Sequence, residues 1–123
     1  TLDELNTLCH EVASELDVIV TCFQSNLEGE LINQIQNSIG CVDGILINPA
    51  GYGHSSVAIR DALVMCTCPV IEVHLSNLAQ RESFRQITLT GGVVTGQVSG
   101  LGKLGYRIGL IGLVDLIGGG NQT

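Results

Sequence analysis

Helical and extended hydrophobic patterns alternate along this chain, and that alternation constrains its fold more than any other feature. Val18–Cys22 (VIVTC), Gly44–Ile47 (GILI), Val70–His74 (VIEVH) and Val93–Ser99 are short runs bounded by turn residues, the pattern of buried strands. Between them apolar residues recur at helical spacing: Leu5, Leu8, Cys9, Val12 and Leu16; Leu31, Ile32, Ile35 and Ile39; Val57, Ala58, Ala62, Leu63 and Met65; and a last helix over 103–117. Thr1-Leu-Asp-Glu4 and Ser25-Asn-Leu-Glu28 both have the spacing of a capping box at a helix start. Strands alternating with helices imply crossover connections and a parallel sheet covered on both faces. The expected fold is therefore α/β, a doubly wound parallel sheet, in one domain over residues 1–117, with a flexible Gly/Asn-rich tail at 118–123.

The chain opens on an amphipathic helix, where a doubly wound fold opens on a strand. In the order 2-1-3-4-5 that first strand lies between strands 2 and 3. The expectation is a domain whose sequence lacks its first strand, or whose first strand another segment supplies.

Composition narrows the function. Of 123 residues, 45% are hydrophobic and 14% charged, which excludes a disordered chain. The net charge is −7. Residues 1–50 carry eight acids and no Lys or Arg; all five bases (Arg60, Arg81, Arg85, Lys103, Arg107) follow. A basic stripe for nucleic acid is absent, as is the cationic face of a membrane-surface helix. No apolar run reaches the ~18 residues of a membrane span, and a cytoplasmic location is expected. The five cysteines include no C-x-x-C and sit in apolar stretches, so they read as reduced core residues. Cys66 and Cys68 as a metal clip are a weaker reading.

In open α/β sheets the ligand sits at the carboxyl ends of the strands. Asn48 ends the second run, and His54, Ser55 and Ser56 follow in a Gly-rich loop. Glu72 and His74 lie on the third run, followed by Ser76, Asn77, Arg81 and Arg85. Such a set suits acid–base work on a small oxygenated molecule. Imidazole titrates near neutrality and can protonate a leaving hydroxyl. Arginine binds hydroxyls or a carboxylate in a fork, and the backbone N–H groups of Leu75 and Ser76 could hold a carboxylate. A buried strand carboxylate such as Glu72 needs a partner. Zinc on His54, His74 and Glu72 is a weaker alternative, because their spacing matches no ligand pattern. A G-x-G-x-x-G at Gly100, Gly102 and Gly105 reads as tight strand–turn–helix packing rather than a dinucleotide site, since too little chain follows it. Gly109 and Gly112 suggest close approach of the last helix to the sheet or to a neighbouring subunit.

Several segments occur in order and at matching spacing: Phe23-Gln-Ser-Asn-Leu-Glu-Gly-Glu-Leu31, the run from Ile47-Asn-Pro-Ala-Gly-Tyr-Gly-His54 to Ala62, Val70-Ile-Glu-Val-His-Leu-Ser-Asn77, Arg81-Glu-Ser-Phe-Arg85 and Gly100-Leu-Gly-Lys-Leu-Gly-Tyr106. Together they closely resemble the type II 3-dehydroquinate dehydratases. The resemblance implies a flavodoxin-like fold, a dodecamer built as a tetramer of trimers, and anti elimination of water from 3-dehydroquinate to 3-dehydroshikimate through an enolate, with no metal or cofactor. It implies His74 as general acid, Glu72 as its supporting carboxylate, and Asn48 near the substrate carboxylate and leaving hydroxyl. It places Leu75 and Ser76 backbone at the carboxylate, His54 and Arg85 at the ring hydroxyls, Arg81 in support, and Asp61 reaching the site of a neighbouring subunit. The family's first strand, its G-P-N-x-N segment and a lid bearing an Arg and a base Tyr have no counterpart here; Tyr52 and Tyr106 match other positions. A non-catalytic homologue that binds or assembles without the base is the alternative.

Overall fold

The computed structural model describes residues 1–119. Among these residues five α-helices and three strands follow in the order α1 (Leu2–Glu15), α2 (Glu28–Ser38), β1 (Ile45–Ile47), α3 (Tyr52–Ser55), α4 (Val57–Val64), β2 (Val70–His74), β3 (Gly96–Ser99) and α5 (Leu104–Gly119), with 3-10 turns at Leu78–Gln80 and Ser83–Arg85. α5 takes in the first two residues of the expected tail, and 120–123 lie outside the described residues.

The strands pair in parallel in the order β1-β2-β3. This is the 3-4-5 end of the order expected from the sequence. Ile45 pairs with Val70 and Ile47 with Glu72, while Glu72 pairs with Gln97 and His74 with Ser99. β2 is thus hydrogen-bonded on both sides, and all five of its residues are buried. Alternation splits them between two faces. Val70 packs with Ile35, Ile59, Ala62 and Leu63 under α2 and α4. Ile71 and Val73 pack with Leu113 of α5 on the other face. α5 also meets α1, where Cys9 and Val12 join Leu110.

The last helix lies close to the sheet because glycines let it. A Cβ at Gly109 would stand 2.7 Å from Leu46 Cδ1 and 3.2 Å from Val73 Cγ2. One at Gly105 would touch Val73 at 3.4 Å, whereas Gly112 has nothing within 4 Å. Close approach to the sheet therefore holds for Gly109, while at Gly112 no other part of the described chain stands near. The G-x-G-x-x-G is the strand–turn–helix corner: Gly100 (φ 87°) and Gly102 (φ 57°) take left-handed backbone, and Gly102 N–H donates to Leu75 C=O.

The first capping box forms as read, with Thr1 Oγ1 accepting from Glu4 N–H and Glu4 reaching back to the Thr1 amine. α1 then stops in a Schellman pattern, with Val18 N–H on Ala13 C=O, Asp17 N–H on Ser14 C=O, and Asp17 at φ 57°.

Several expectations need correction. The second box does not form: Leu27 precedes α2 without a side-chain cap, because Ser25 Oγ accepts from Leu27 N–H and donates to Glu30. Val18–Cys22 is not a strand. It has the composition of one but pairs with no strand among the described residues, and Ile19 is 98% exposed. The Gly-rich loop contains a helical turn, α3. The last strand begins at Gly96 rather than Val93, because Thr90 C=O draws the Val93 and Val94 N–H groups into a turn. Cys41 is exposed rather than in the core; all five cysteines are free thiols.

Candidate functional site

The loop after β1 is built around Asn48. Its Oδ1 accepts from Ala50 N–H at 3.0 Å, and its Nδ2 donates to the Tyr106 hydroxyl at 3.0 Å. The first bond bends the chain at Ala50, which takes φ 51°. The second ties the end of β1 to α5. Pro49 is fully buried. A Cβ at Gly53 would lie 2.9 Å from Pro49 Cγ, so the turn of α3 folds tightly back on the strand end and carries His54 with it. Ser56 ends the loop by capping α4, accepting from Ile59 N–H at 2.9 Å.

β2 supplies the second part. Glu72 and His74 point to the same face, two residues apart, and lie 2.8 Å from each other between Oε2 and Nε2. Glu72 is wholly buried and His74 only 5% exposed. Two hydroxyls complete the carboxylate's shell. Thr88 Oγ1 donates to Oε2 at 2.7 Å, and Thr90 Oγ1 donates to Oε1. Burial pushes the Glu72 carboxyl up, but the hydrogen bonds from His74, Thr90 and Thr88 outweigh it and hold its pKa below the ordinary value. Glu72 is therefore an anion that can only accept, and His74 Nε2 must carry the proton between them. The other ring nitrogen, Nδ1, is left for the cavity that His74 lines.

That cavity, about 240 Å³, is lined by Asn48, Ala50, Gly51, His74, Leu75, Ser76 and Arg81. A second, about 540 Å³, adjoins it through Gly51 and Arg81 and is lined by His54, Ser55, Phe84 and Arg85. The two imidazoles face each other across the join, their ring centres 6.4 Å apart. His54 Nδ1 lies 3.1 Å from Ile87 C=O and so donates to it. Its Nε2 is then an acceptor, and it is buried with no partner among the described residues. Arg85 lies over the Phe84 ring, 5.0 Å from its centre, and 3.7 Å from Glu82.

The structure thus brings Asn48, His74, Leu75, Ser76 and Arg81 around one cavity, and His54 and Arg85 around its neighbour. Asp61 joins neither: it is exposed on α4 and paired with Arg60 at 3.1 Å. Thr88, Thr90 and Tyr106 went unread as site residues. Burial pushes the Tyr106 hydroxyl up, so it stays a protonated phenol beside Asn48. Burial also pushes the Cys9 thiol up to about 11, which makes it no nucleophile at neutral pH. Among the described residues no cluster of three His, Cys, Asp or Glu is arranged to hold a metal ion. No helix there is long and apolar enough to cross a membrane.

The model of the class II dehydroquinase family matches residues 1–114. The chain belongs to that family. It is 51% identical over 117 residues to a 3-dehydroquinate dehydratase of Gloeothece citriformis, covering 95% of this chain and 77% of that one. Against the 3-dehydroquinate dehydratase of Aliarcobacter butzleri it is 45% identical, covering 95% and 71%. Among solved structures, the type II dehydroquinase of Propionibacterium acnes superposes with a TM-score of 0.89 at 38% identity, covering 93% of this chain and 84% of that one. A 3-dehydroquinate dehydratase-like protein from Bifidobacterium longum superposes at 0.77 with 28% identity, covering 94% and 88%.

Proposed function

We propose that this chain is a dehydroquinase, a hydro-lyase that removes water from 3-dehydroquinate to give 3-dehydroshikimate in the route to aromatic amino acids. The observation that carries the reading is the buried Glu72–His74 pair, whose His74 lines a cavity shared with the amide of Asn48, the Arg81 guanidinium, Ser76 and backbone groups. A proton leaves the carbon next to the substrate ketone, and the electron pair forms an enolate. The enolate re-forms the ketone as it expels the β-hydroxyl, to which His74 Nδ1 gives a proton, so the products are an enone and one water. Glu72 holds the ring by its Nε2–H and offsets the charge the imidazole carries while it holds both protons.

The remaining groups position the substrate. Leu75 and Ser76 backbone and Asn48 face the substrate carboxylate and the leaving hydroxyl, with Arg81 beside them. His54 Nε2, the one buried polar side-chain atom left without a partner among the described residues, accepts from a ring hydroxyl, and Arg85 donates to another. The carbon-bound proton goes to a base outside these residues; in the family resemblance it is a tyrosine on a lid segment with no counterpart in this sequence. Asp61, exposed on α4, reaches the site of a neighbouring subunit in a dodecamer of four trimers. The enzyme works in the cytoplasm without metal or cofactor.

Enone formation followed by ultraviolet absorbance, beside calorimetry with 3-dehydroquinate, tests this reading. With the base-bearing lid segment in place the protein should bind and turn over its substrate, and His74→Ala should lower kcat at least about a hundredfold, within the range general-acid catalysis supplies, with binding retained. Failure to bind, or turnover indifferent to His74→Ala, would overturn it.

A further inference from the structure

The segment 87–91 touches both histidines, one through backbone and the other through a relay. Ile87 C=O takes the Nδ1 proton of His54. Thr88 and Thr90 donate into the two oxygens of Glu72, which takes the Nε2 proton of His74. The segment is itself held. Leu89 N–H donates to Gly53 C=O at 2.7 Å, in the turn that carries His54, and Gly91 N–H donates to Thr88 Oγ1 at 2.9 Å. Thr90 is fully buried and Thr88 5% exposed, so neither hydroxyl has water to turn to.

We propose that Thr88 and Thr90 are positioning residues that set which nitrogen of His74 works. Glu72 has two oxygens and one imidazole partner. Without the two hydroxyls its remaining lone pairs would be buried and bare, which favours a proton on the carboxyl. A protonated Glu72 can donate to Nε2, which moves the imidazole proton to Nδ1 and turns the atom facing the cavity from an acceptor that can pick up a proton into a fixed neutral donor. With both hydroxyls donating, the carboxylate stays an acceptor, Nε2 stays protonated, and Nδ1 alone exchanges its proton with the cavity. His54 needs no such relay, because a carbonyl can only accept. One short strap therefore presets opposite nitrogens on the two rings: Nε2 free on His54, Nδ1 free on His74. The charged and titratable groups around Glu72 are few: His74 beside it, His54 across the join, and none on the strand residues Ile47 and Gln97 that pair with it.

This inference deepens the proposed dehydration and rests on it for its kinetic arm only. Thr88→Val and Thr90→Val keep shape and remove the hydroxyl, while Thr88→Ser and Thr90→Ser keep the hydroxyl. Each Val variant should lower kcat about tenfold, a part of what general-acid catalysis supplies, with KM within about twofold, and each Ser variant should recover most of the loss. The second readout is the ¹⁵N shifts of the histidine rings in the full chain without substrate. Neutral His74 should show a protonated Nε2 and a bare Nδ1, and the double Val variant should show the two forms mixed, while His54 keeps its proton on Nδ1 in both. Ser variants as slow as Val variants, or a His74 pattern unmoved in the double variant, would overturn the proposal. No turnover by the wild type with its base-bearing lid segment in place would defeat the proposed reaction, while the ring shifts of the chain would still decide the role of the strap.

Discussion

Val18–Cys22 and β2 have nearly the same sequence character, a five-residue β-branched run between turn signals, and opposite fates. β2 is paired on both edges, buried throughout, and carries Glu72 and His74. Val18–Cys22 puts Val20 and Cys22 against the α1–α5 cluster, leaves Ile19 at 98% exposure, and pairs with no strand among the described residues. A strand is a relation between neighbours, not a property of five residues, because its N–H and C=O groups need partners. The candidate site sits where that relation is complete. β1 and β3 hold β2 in register, so its last residues project from a fixed edge.

Three substitutions sharpen this contrast. Glu72→Gln should cost about 1–3 kcal/mol in chemical denaturation, because an amide offers an unwanted donor to Thr88, Thr90 and His74 in a dry site. It should also change the pH profile. The folded pKa of Glu72 is lowered, so its contribution is full above the unfolded value near 4.5 and lost as pH falls through the folded value. The wild type should weaken across that acid range more than the Gln variant does. Val73→Ala, at a wholly buried β2 site packed against α5, should cost about 2 kcal/mol through lost burial and the void it leaves. Ile19→Ala should cost less than about 0.5 kcal/mol in the same measurement. A loss at Ile19 equal to that at Val73 would mean that Val18–Cys22 is covered in solution and the contrast is false.

How much could be read from the sequence follows the same division. β2 was legible to the residue, since a buried central strand shows an apolar run interrupted only by polar groups that find partners, here Glu72 and His74. The gathering of Asn48, His54, His74, Arg81 and Arg85 around two adjoining cavities was legible as well, because they follow or end two neighbouring strands, where polar residues have no packing reason to gather. Val18–Cys22 takes no strand form among the described residues because periodicity reports composition and not partners, and the first strand that the expected order sets beside it has no counterpart in this sequence. The box at Ser25 was misread because its hydroxyl had nearer partners in Leu27 N–H and Glu30. Thr88 and Thr90 escaped notice because threonine is common in loops. The signal was there: a strand glutamate needs donors, and two hydroxyls spaced by two residues can reach both of its oxygens.

The central claim is that the ends of β1 and β2, with the strap at 87–91, form one cleft for a small hydroxylated acid. Titrating ¹⁵N-labelled chain with 3-dehydroquinate and following amide and imidazole shifts tests it most directly. The account expects saturable shifts at His54, His74, Leu75 and Ser76, with Val18–Cys22 unmoved. Shifts that gather at Val18–Cys22, or that leave both imidazoles untouched at saturation, would contradict it.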